Sequence, residues 1–279
     1  MSSTLIDGLC FGEGPRWHEG ALWLSDMHAR EVLRITEDGG RETIVSVPGW
    51  PSGLGWLPNG DLLIVAMTER RLLRYDGSQL TEHADLSALA SFHCNDMVVD
   101  SEGRAWVGNF GFDIFTQSAE RRGAELIRVD PDGAAEVVAE DLAFPNGTVI
   151  TPDGKTLIVG ETMGARLTAF DITGNGSLTN QRTWASLETA APDGICLDKA
   201  MGIWVASPPT NEVLRVLEGG KVTDRISTDR GAFACMLGGA NGHTLFTLIS
   251  GSSVPDVCTA ERSAMVITDQ VAHGHAGSP

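Results

Sequence analysis

Short apolar runs separated by turn-forming residues dominate this chain. Val, Ile and Leu cluster in these runs, and Gly, Asp, Asn and Pro separate one run from the next. Such a pattern predicts β-strands joined by tight turns. Long amphipathic helical patterns are hard to find, and residues 84–91 are the best candidate for a helix. Six segments share one arrangement of apolar strand, turn and second apolar strand: residues 13–26, 52–66, 95–109, 146–161, 193–207 and 234–250.

The turns of these segments recur at a nearly constant interval of 40, 43, 51, 47 and 41 residues. The turn positions are Gly20, Gly60, Gly103, Gly154, Met201 and Gly242. A period of roughly 40–50 residues with several strands per unit is the sequence signature of a β-propeller. We therefore predict an all-β fold, in which residues 1–279 form a single domain: a six-bladed β-propeller with four-stranded antiparallel blades.

The last blade lacks a strand of its own. The sixth unit has a third strand pattern at residues 263–269, but the Gly-rich residues after it cannot supply a fourth. Residues 3–8, STLIDG, precede the first unit and are the candidate to complete the last one. Because pairing them with the last unit would remove an exposed sheet edge, we predict that the N-terminal strand closes the last blade.

Alignment of the six units assigns different structural roles to two similar dipeptides. Asn146-Gly147 and Asp153-Gly154 both favour β-turns, because Asn, Asp and Gly tolerate positive φ angles. Gly154 aligns with the hairpin turns of the other units, whereas Asn146 aligns with the residues that open the inner strands. Inner strands surround the central channel of a propeller, so these opening residues, here called the ring positions, should lie at one mouth of it. The ring positions are Glu13, Ser52, Asn95, Asn146, Asp193 and Ala234.

The chemistry of the ring positions points to a metal ion. Four of the six are carboxylates or carboxamides, and none is Lys, Arg, His or Cys. Carboxylates in a partly desolvated mouth need a counter-charge, and Ca²⁺, Mg²⁺ and Mn²⁺ take oxygen ligands. The alternative for each residue taken singly is a local role, in which its side chain bonds nearby backbone N–H groups.

The composition of the chain excludes some classes of binding partner and indicates its cellular compartment. Lys and Arg number 20 against 37 Asp and Glu, giving a formal net charge of −17, which disfavours nucleic acid and anionic membranes as partners. We find no signal-peptide pattern and no apolar run long enough to span a membrane. The five cysteines include no C-x-x-C pair, which favours buried free thiols. We therefore predict a cytoplasmic protein that binds neither nucleic acid nor membrane, and the oligomeric state stays open.

Four motifs resemble the senescence-marker-protein/gluconolactonase/luciferin-regenerating-enzyme-like family of six-bladed propellers. They are GEGPRW (12–17), CNDMVVDSEGRAWVGN (94–109), FPNGTVITPDGKTLIV (144–159) and PDGICLDKAMGIWVAS (192–207). The resemblance implies that Glu13, Asn146 and Asp193 bind one divalent metal ion, with Ca²⁺ preferred over Mg²⁺, Mn²⁺ or Zn²⁺. It also implies that Asn95 contacts the substrate or a metal-bound water, and that the substrate is a lactone, mainly of a sugar acid.

The implied reaction is hydrolysis of the lactone by a polarised carbonyl and an activated water, with Asp193 as the catalytic base. Two alternatives remain: a metal-dependent phosphotriesterase or arylesterase, and a calcium-binding regulatory propeller without turnover. One position departs from the family pattern, since His93 stands where relatives that act on sugar lactones often carry Arg; His93 is therefore a candidate substrate-binding residue. Several loop residues near the mouth are apolar and suggest a lactone less hydroxylated than gluconolactone: Trp50, Met67, Phe110, Phe112 and Phe144.

Overall fold

Six antiparallel sheets of four strands each build the protein as a six-bladed β-propeller, as predicted. The structure, a computed structural model, describes residues 2–116 and 118–277. Strand β1 (Ser3–Leu9) comes first, and blade 1 follows with β2 (Gly12–His18), β3 (Ala21–Asp26), β4 (Glu31–Ile35) and β5 (Arg41–Ser46). Blade 2 holds β6 (Pro51–Trp56), β7 (Leu62–Ala66), β8 (Arg71–Tyr75) and β9 (Leu80–Asp85).

The remaining blades repeat this order from the inner to the outer strand. Blade 3 holds β10 (Cys94–Val99), β11 (Ala105–Asn109), β12 (Ala124–Val129) and β13 (Ala135–Leu142). Blade 4 holds β14 (Pro145–Ile150), β15 (Thr156–Glu161), β16 (Arg166–Ile172) and β17 (Leu178–Ser186). Blade 5 holds β18 (Ile195–Leu197), β19 (Ile203–Ser207), β20 (Glu212–Val216) and β21 (Val222–Ser227). Blade 6 holds β22 (Gly231–Gly238), β23 (Thr244–Ser250) and β24 (Ala264–Gln270).

The N-terminal strand completes blade 6, as the sequence predicted. Strand β1 pairs antiparallel with β24, so that Ser3 faces Thr268 and Thr4 faces Ile267. The hydroxyls of Ser3 and Thr268 also form a hydrogen bond of 2.8 Å. The two ends of the chain therefore share one sheet, and the circle of blades is closed without a free edge on β24. That residues 1–279 form a single domain stays a prediction.

Helical structure is scarce in the described residues, and its position differs from the prediction. Strand β9 runs to Asp85, and the residues after it form turns in which Leu89 and Ala90 both donate their N–H to the Leu86 carbonyl, at 3.0 and 2.8 Å. The α-helix α1 (Pro255–Glu261) lies in the loop between β23 and β24, and short 3-10 turns occupy Met27–Ala29, Thr162–Gly164 and Pro208–Thr210. A seven-residue helix is too short for its periodicity to be recognised in the sequence.

Two expectations about composition can be compared with the structure. All five cysteines are buried and free, as predicted: Cys10, Cys94, Cys196, Cys235 and Cys258. Among the residues that the structure describes, no helix is long and apolar enough to cross a membrane.

Glycine follows the ring position in four of the six blades because neighbouring inner strands approach each other closely there. Asn146 and Gly147 lie inside β14, whereas Gly154 lies in the β14–β15 turn with φ +68°, which confirms the register. A Cβ atom placed on Gly147 would lie 2.4 Å from the backbone N of Ile195 and 2.6 Å from the Asp193 carbonyl. Gly147 is therefore required by the contact between blades 4 and 5 rather than by a turn.

We predict that Gly147→Ala destabilises the propeller. The added methyl group would meet backbone atoms of the next blade, which cannot move aside, and overpacking of this kind costs about 1–3 kcal/mol. Chemical denaturation measures the free energy of unfolding. Gly174→Ala is the matched control, because a Cβ on Gly174 has no atom within 4 Å. Equal stability of both variants would contradict the close approach of the inner strands.

Candidate active site

A cavity of about 290 Å³ brings together the four ring positions that carry a carboxylate or a carboxamide. Glu13, Asn95, Asn146 and Asp193 all line it, together with the Thr162 side chain. The other two ring positions do not line it. Ser52 is buried and its hydroxyl has no hydrogen-bond partner among the described residues, and Ala234 is fully buried. The four carboxylate and carboxamide residues that the alignment of the repeats placed at equivalent positions therefore lie at one cavity.

Irregular pairing at the start of the inner strands orients these side chains. In blades 1 to 4 the register between the first and second strands shifts at or just after the ring position, for example between Glu13 and Arg16 and between Pro145 and Thr148. Such bulges locally redirect side chains. In blade 5 the regular strand begins only at Ile195, two residues after Asp193, although the Asp193 N–H still donates to the Ala206 carbonyl at 2.9 Å.

Hydrogen bonds between blades hold the ring positions in place. The Gly147 N–H donates to the Asp193 carbonyl at 3.1 Å, and the Gly194 N–H donates to the Phe233 carbonyl at 2.8 Å. The Asn95 amide donates to the Pro145 carbonyl at 3.4 Å. These bonds join blades 3, 4, 5 and 6 next to the cavity, so the positions of the polar side chains depend on the packing of the whole circle.

Glu13 and Asp193 are carboxylates without a cationic partner among the described residues. Glu13 is 8% exposed and accepts only a long hydrogen bond of 3.3 Å from Gly14 N–H. Burial raises the pKa of Glu13 well above its usual value, and the charges of Asp193 and Asp96 raise it further. Burial is also the main cause that raises the pKa of Asp193 to about 8, against the opposing hydrogen bond from Asn146. Asp193 is partly exposed to the cavity even though protein atoms surround it closely.

A buried ion pair lies beside these carboxylates and compensates a third one. Arg16 donates from Nη2 to Asp96 Oδ1 at 2.8 Å, and both side chains are almost completely buried. Arg16 also donates to the Met97 carbonyl and, at 2.8 Å, to the Pro15 carbonyl. The guanidinium is therefore engaged by Asp96 and backbone carbonyls. Sequence reasoning missed this pair, although Arg16 and Asp96 lie inside two of the quoted motifs.

The donor set of the cavity fits a hard divalent cation. Asn146 donates from Nδ2 to Thr162 Oγ1 at 3.2 Å, and Thr162 donates to the Pro192 carbonyl at 2.7 Å. These two hydrogen bonds orient the Asn146 amide. Its oxygen Oδ1 accepts no hydrogen bond from the described residues and is therefore available to bind a cation. Two uncompensated carboxylates and a free carboxamide oxygen are ligands that Ca²⁺ and Mg²⁺ prefer. No group of three or more His, Cys, Asp or Glu side chains with metal-binding geometry occurs in the described part of the chain, so this site depends on its amide oxygens.

Most of the remaining cavity surface is apolar. We call its buried part the inner wall, which consists of Phe11, Met27, Met67, Phe110 and Phe144. Its exposed part, here called the rim, consists of Ile114, Phe115 and Met163. Trp50 and Phe233 are half-buried between the two. Of the apolar loop residues expected near the mouth, Trp50, Met67, Phe110 and Phe144 line the cavity, whereas Phe112 does not.

Two histidines differ in their relation to the cavity. His93 does not line it. Its ring stacks on Phe92 with a centroid distance of 4.1 Å and lies 6.1 Å from the rings of both Phe110 and Phe115, and burial lowers its pKa. Substrate binding by His93 stays a prediction. His28, which sequence reasoning missed, does line the cavity. The Ser253 backbone lies beside the His28 ring, but neither ring nitrogen makes a hydrogen bond of normal geometry. Only its place in the turn after β3 could have drawn attention to it.

Comparison with known proteins gives a family and several relatives. A family model described as "SMP-30/Gluconolactonase/LRE-like region" matches residues 11–250. Regucalcin from Gallus gallus is 28% identical over 253 residues, which cover 86% of this chain and 84% of the relative. A 6-deoxy-6-sulfogluconolactonase from Pseudomonas putida is 29% identical over 222 residues, covering 77% and 74%. The solved structure of a gluconolactonase from Xanthomonas campestris is 25% identical, with a TM-score of 0.76, and covers 96% of this chain and 89% of its own.

We predict that the metal-free protein loses stability as the pH rises from 6.5 to 8. A carboxyl group whose pKa is raised in the folded state stabilises the protein fully below its unfolded pKa, and this contribution is lost as the pH rises through the folded pKa. For Asp193 the loss runs from its ordinary pKa of 3.8 up to its folded pKa of about 8, and pH 6.5 to 8 is the part of that range above the ordinary histidine pKa. Denaturation in EDTA should show the free energy of unfolding falling by about 1 kcal/mol per pH unit.

The Asp193→Asn variant provides the control, since it removes the titrating group and should flatten this dependence. Added Ca²⁺ should also flatten it by keeping both carboxylates ionised. A stability of the metal-free protein that is constant or increases between pH 6.5 and 8 would show that the cavity carboxylates are not destabilised by burial.

Proposed function

The chain belongs to the SMP-30/gluconolactonase/LRE-like family, and we propose that it is a hydrolase that opens a lactone ring with the aid of one divalent cation. The observation that carries the proposal is the meeting of Glu13, Asn95, Asn146 and Asp193 at one cavity within the matched region. Two of the relatives described above are named as lactonases, which supports a lactone as the substrate class. Both a sugar-acid lactone and a less hydroxylated lactone fit this function.

Glu13, Asn146 and Asp193 would hold the cation, through two carboxylates and one carboxamide oxygen. Ca²⁺ is the first choice because every ligand is an oxygen atom and the ligands include no His or Cys. A bound divalent cation supplies polarisation of the lactone carbonyl and a lower pKa for water. The raised pKa values of Glu13 and Asp193 support this assignment, because a cation would relieve the repulsion and desolvation that cause them.

The residues of the chain supply proton transfer and orientation. One oxygen of Asp193 would hold the cation, and the other accepts a proton from the attacking water as its oxygen bonds to the lactone carbonyl carbon. The bond between that carbon and the ring oxygen then breaks, and the proton on Asp193 passes to the leaving oxygen, giving a hydroxy acid. Asn95 orients the substrate through its carboxamide. The inner wall keeps bulk water away from the reacting atoms, which strengthens the electrostatic interactions there.

We expect the metal-loaded protein to release acid from members of a panel of γ- and δ-lactones in a pH-indicator assay. The panel should include an aryl ester and a phosphotriester, because the same constellation of residues could serve either bond. Preferential hydrolysis of one of those two would replace the lactonase by an esterase or phosphotriesterase. Protein that binds metal but hydrolyses nothing would contradict the enzyme and favour a calcium-binding regulatory propeller.

We predict that Asp193→Asn lowers kcat for lactone hydrolysis by about 10²- to 10⁴-fold, the usual contribution of a general base. Asp224→Asn is a suitable control, because Asp224 is exposed on the outer strand of the same blade. Circular dichroism should show that both variants keep the β-sheet fold. If Asp193→Asn left kcat unchanged, Asp193 would not be the base.

A further inference from the structure

The surface of the cavity indicates which lactones it accepts, and this inference rests on the proposed function. We propose that the substrate is an uncharged lactone carrying one apolar substituent, aromatic or alkyl, which is seated against the inner wall and the rim. Three features carry the proposal: the apolar character of the wall, the concentration of exposed apolar side chains at the mouth, and the shortage of groups that could bind hydroxyls or anions.

The inner wall is built from aromatic rings and methionines. Phe110 and Phe144 stack with their ring centroids 4.5 Å apart, and Phe11 packs edge-on against Phe233 at 4.7 Å. Met27 and Met67 are almost completely buried beside them. Aromatic rings and thioethers bind apolar and aromatic groups through large contact areas, and methionine adapts to their shape. A hydroxyl pressed against such a surface would lose its hydrogen bonds to water without replacement.

The rim extends this apolar surface to solvent. Ile114, Phe115 and Met163 are 36%, 55% and 47% exposed, and they are three of the six large apolar side chains that stand exposed in the described part of the chain. A fourth, Val254, directly follows the cavity-lining residue Ser253. Exposed apolar surface is thus concentrated at the entrance of one cavity, which is typical of a ligand-binding site. An apolar substituent entering there would remove both its own surface and that of the rim from water.

The cavity has few partners for a polyhydroxylated or anionic ring. Among the residues that the structure describes, neither Lys nor Arg lines it, whereas the carboxylates of Glu13 and Asp193, here called its acidic floor, do. Thr162 is occupied by its bonds to Asn146 and the Pro192 carbonyl. His28 lines the cavity, but both of its ring nitrogens are buried from solvent, which leaves Asn95 and Ser253 to bind substrate oxygens. A carboxylate, sulfonate or phosphate on the substrate would meet repulsion in a protein whose formal charge is −17.

The first test compares three six-membered lactones that share the ester but differ in substituents: δ-valerolactone, δ-decalactone and D-glucono-1,5-lactone. Values of kcat/KM are measured with metal-loaded protein, each relative to the uncatalysed hydrolysis of the same lactone. Because each buried CH₂ group contributes roughly fourfold, the pentyl group of δ-decalactone should raise kcat/KM by about tenfold or more over δ-valerolactone. Glucono-1,5-lactone should be the poorest of the three.

The outcomes separate this inference from the proposed function. Hydrolysis of all three lactones with glucono-1,5-lactone preferred, or without any gain from the pentyl group, would overturn the inference and leave a lactonase. Failure of metal-loaded protein to hydrolyse any of them would overturn both.

The second test uses two methionines of nearly equal exposure. Met163 on the rim is 47% exposed, and Met201, in the turn between β18 and β19 and outside the cavity, is 44% exposed. Met163→Ser should lower the ratio of kcat/KM for δ-decalactone to that for δ-valerolactone by about fivefold, because the pentyl group loses an apolar contact. Met201→Ser should leave the ratio unchanged. Equal ratios in both variants and the unmodified protein would show that the substituent does not lie against the rim.

Discussion

Two carboxylates at one cavity, with no cationic partner among the residues that the structure describes, are the constraint on which this structure depends. Glu13 and Asp193 come from blades 1 and 5; the charge of Asp193 raises the pKa of Glu13, and the charge of Asp96 raises the pKa of both. Hydrogen bonds and Arg16 oppose these shifts but do not cancel them, because the pKa of each carboxyl stays raised. The nearby guanidinium of Arg16 is bound to Asp96, so it relieves the third acid of the cluster and leaves the first two for a ligand. The backbone contacts between blades and the closure of blade 6 by β1 hold the pair in place.

The apolar surroundings and the acidic floor reinforce each other. Aromatic and methionine side chains exclude water, which raises the pKa values of the carboxylates and would strengthen their attraction to a divalent cation. The same side chains provide the surface for an apolar substituent of the substrate. The same aromatic and methionine side chains therefore explain both the raised pKa values of the cavity carboxylates and the substrate preference proposed above.

The fold and much of the cavity could be predicted from the sequence because the propeller repeats. Alignment of the six units identified Asn146 as a ring position despite its turn-like dipeptide, and it placed Glu13, Asn95 and Asp193 at the same level. The strand pattern of residues 3–8 predicted the closure of the last blade. These inferences need only the order of strands within a blade, which can be read from the pattern of apolar runs along the sequence.

Other parts of the site depend on contacts between blades and loops, which no repeat pattern records. The Arg16–Asp96 pair joins blades 1 and 3, and the orientation of Asn146 depends on Thr162 and a carbonyl from another segment. The rim residues Ile114 and Phe115 belong to the long connection between β11 and β12, for which the short connections of blades 1, 2, 4 and 5 have no equivalent position. His28 lies in a 3-10 turn that recurs at Thr162–Gly164 and Pro208–Thr210, but the residue types differ among these turns, so the repeat pattern does not mark it. That His93 replaces an Arg of the family motif stays a prediction, and its ring packs among aromatic side chains outside the cavity lining.

Calorimetric titration of Ca²⁺ into the metal-free protein at pH 7, repeated in buffers of different ionisation enthalpy, measures whether the two carboxyl groups lose protons when the cation binds. If Glu13 and Asp193 are the ligands, their raised pKa values mean that they hold protons before binding and must lose them. Our account predicts release of about one proton or more for each Ca²⁺ bound. It also predicts loss of binding in Glu13→Gln. Tight binding without proton release, or binding unchanged in Glu13→Gln, would contradict it.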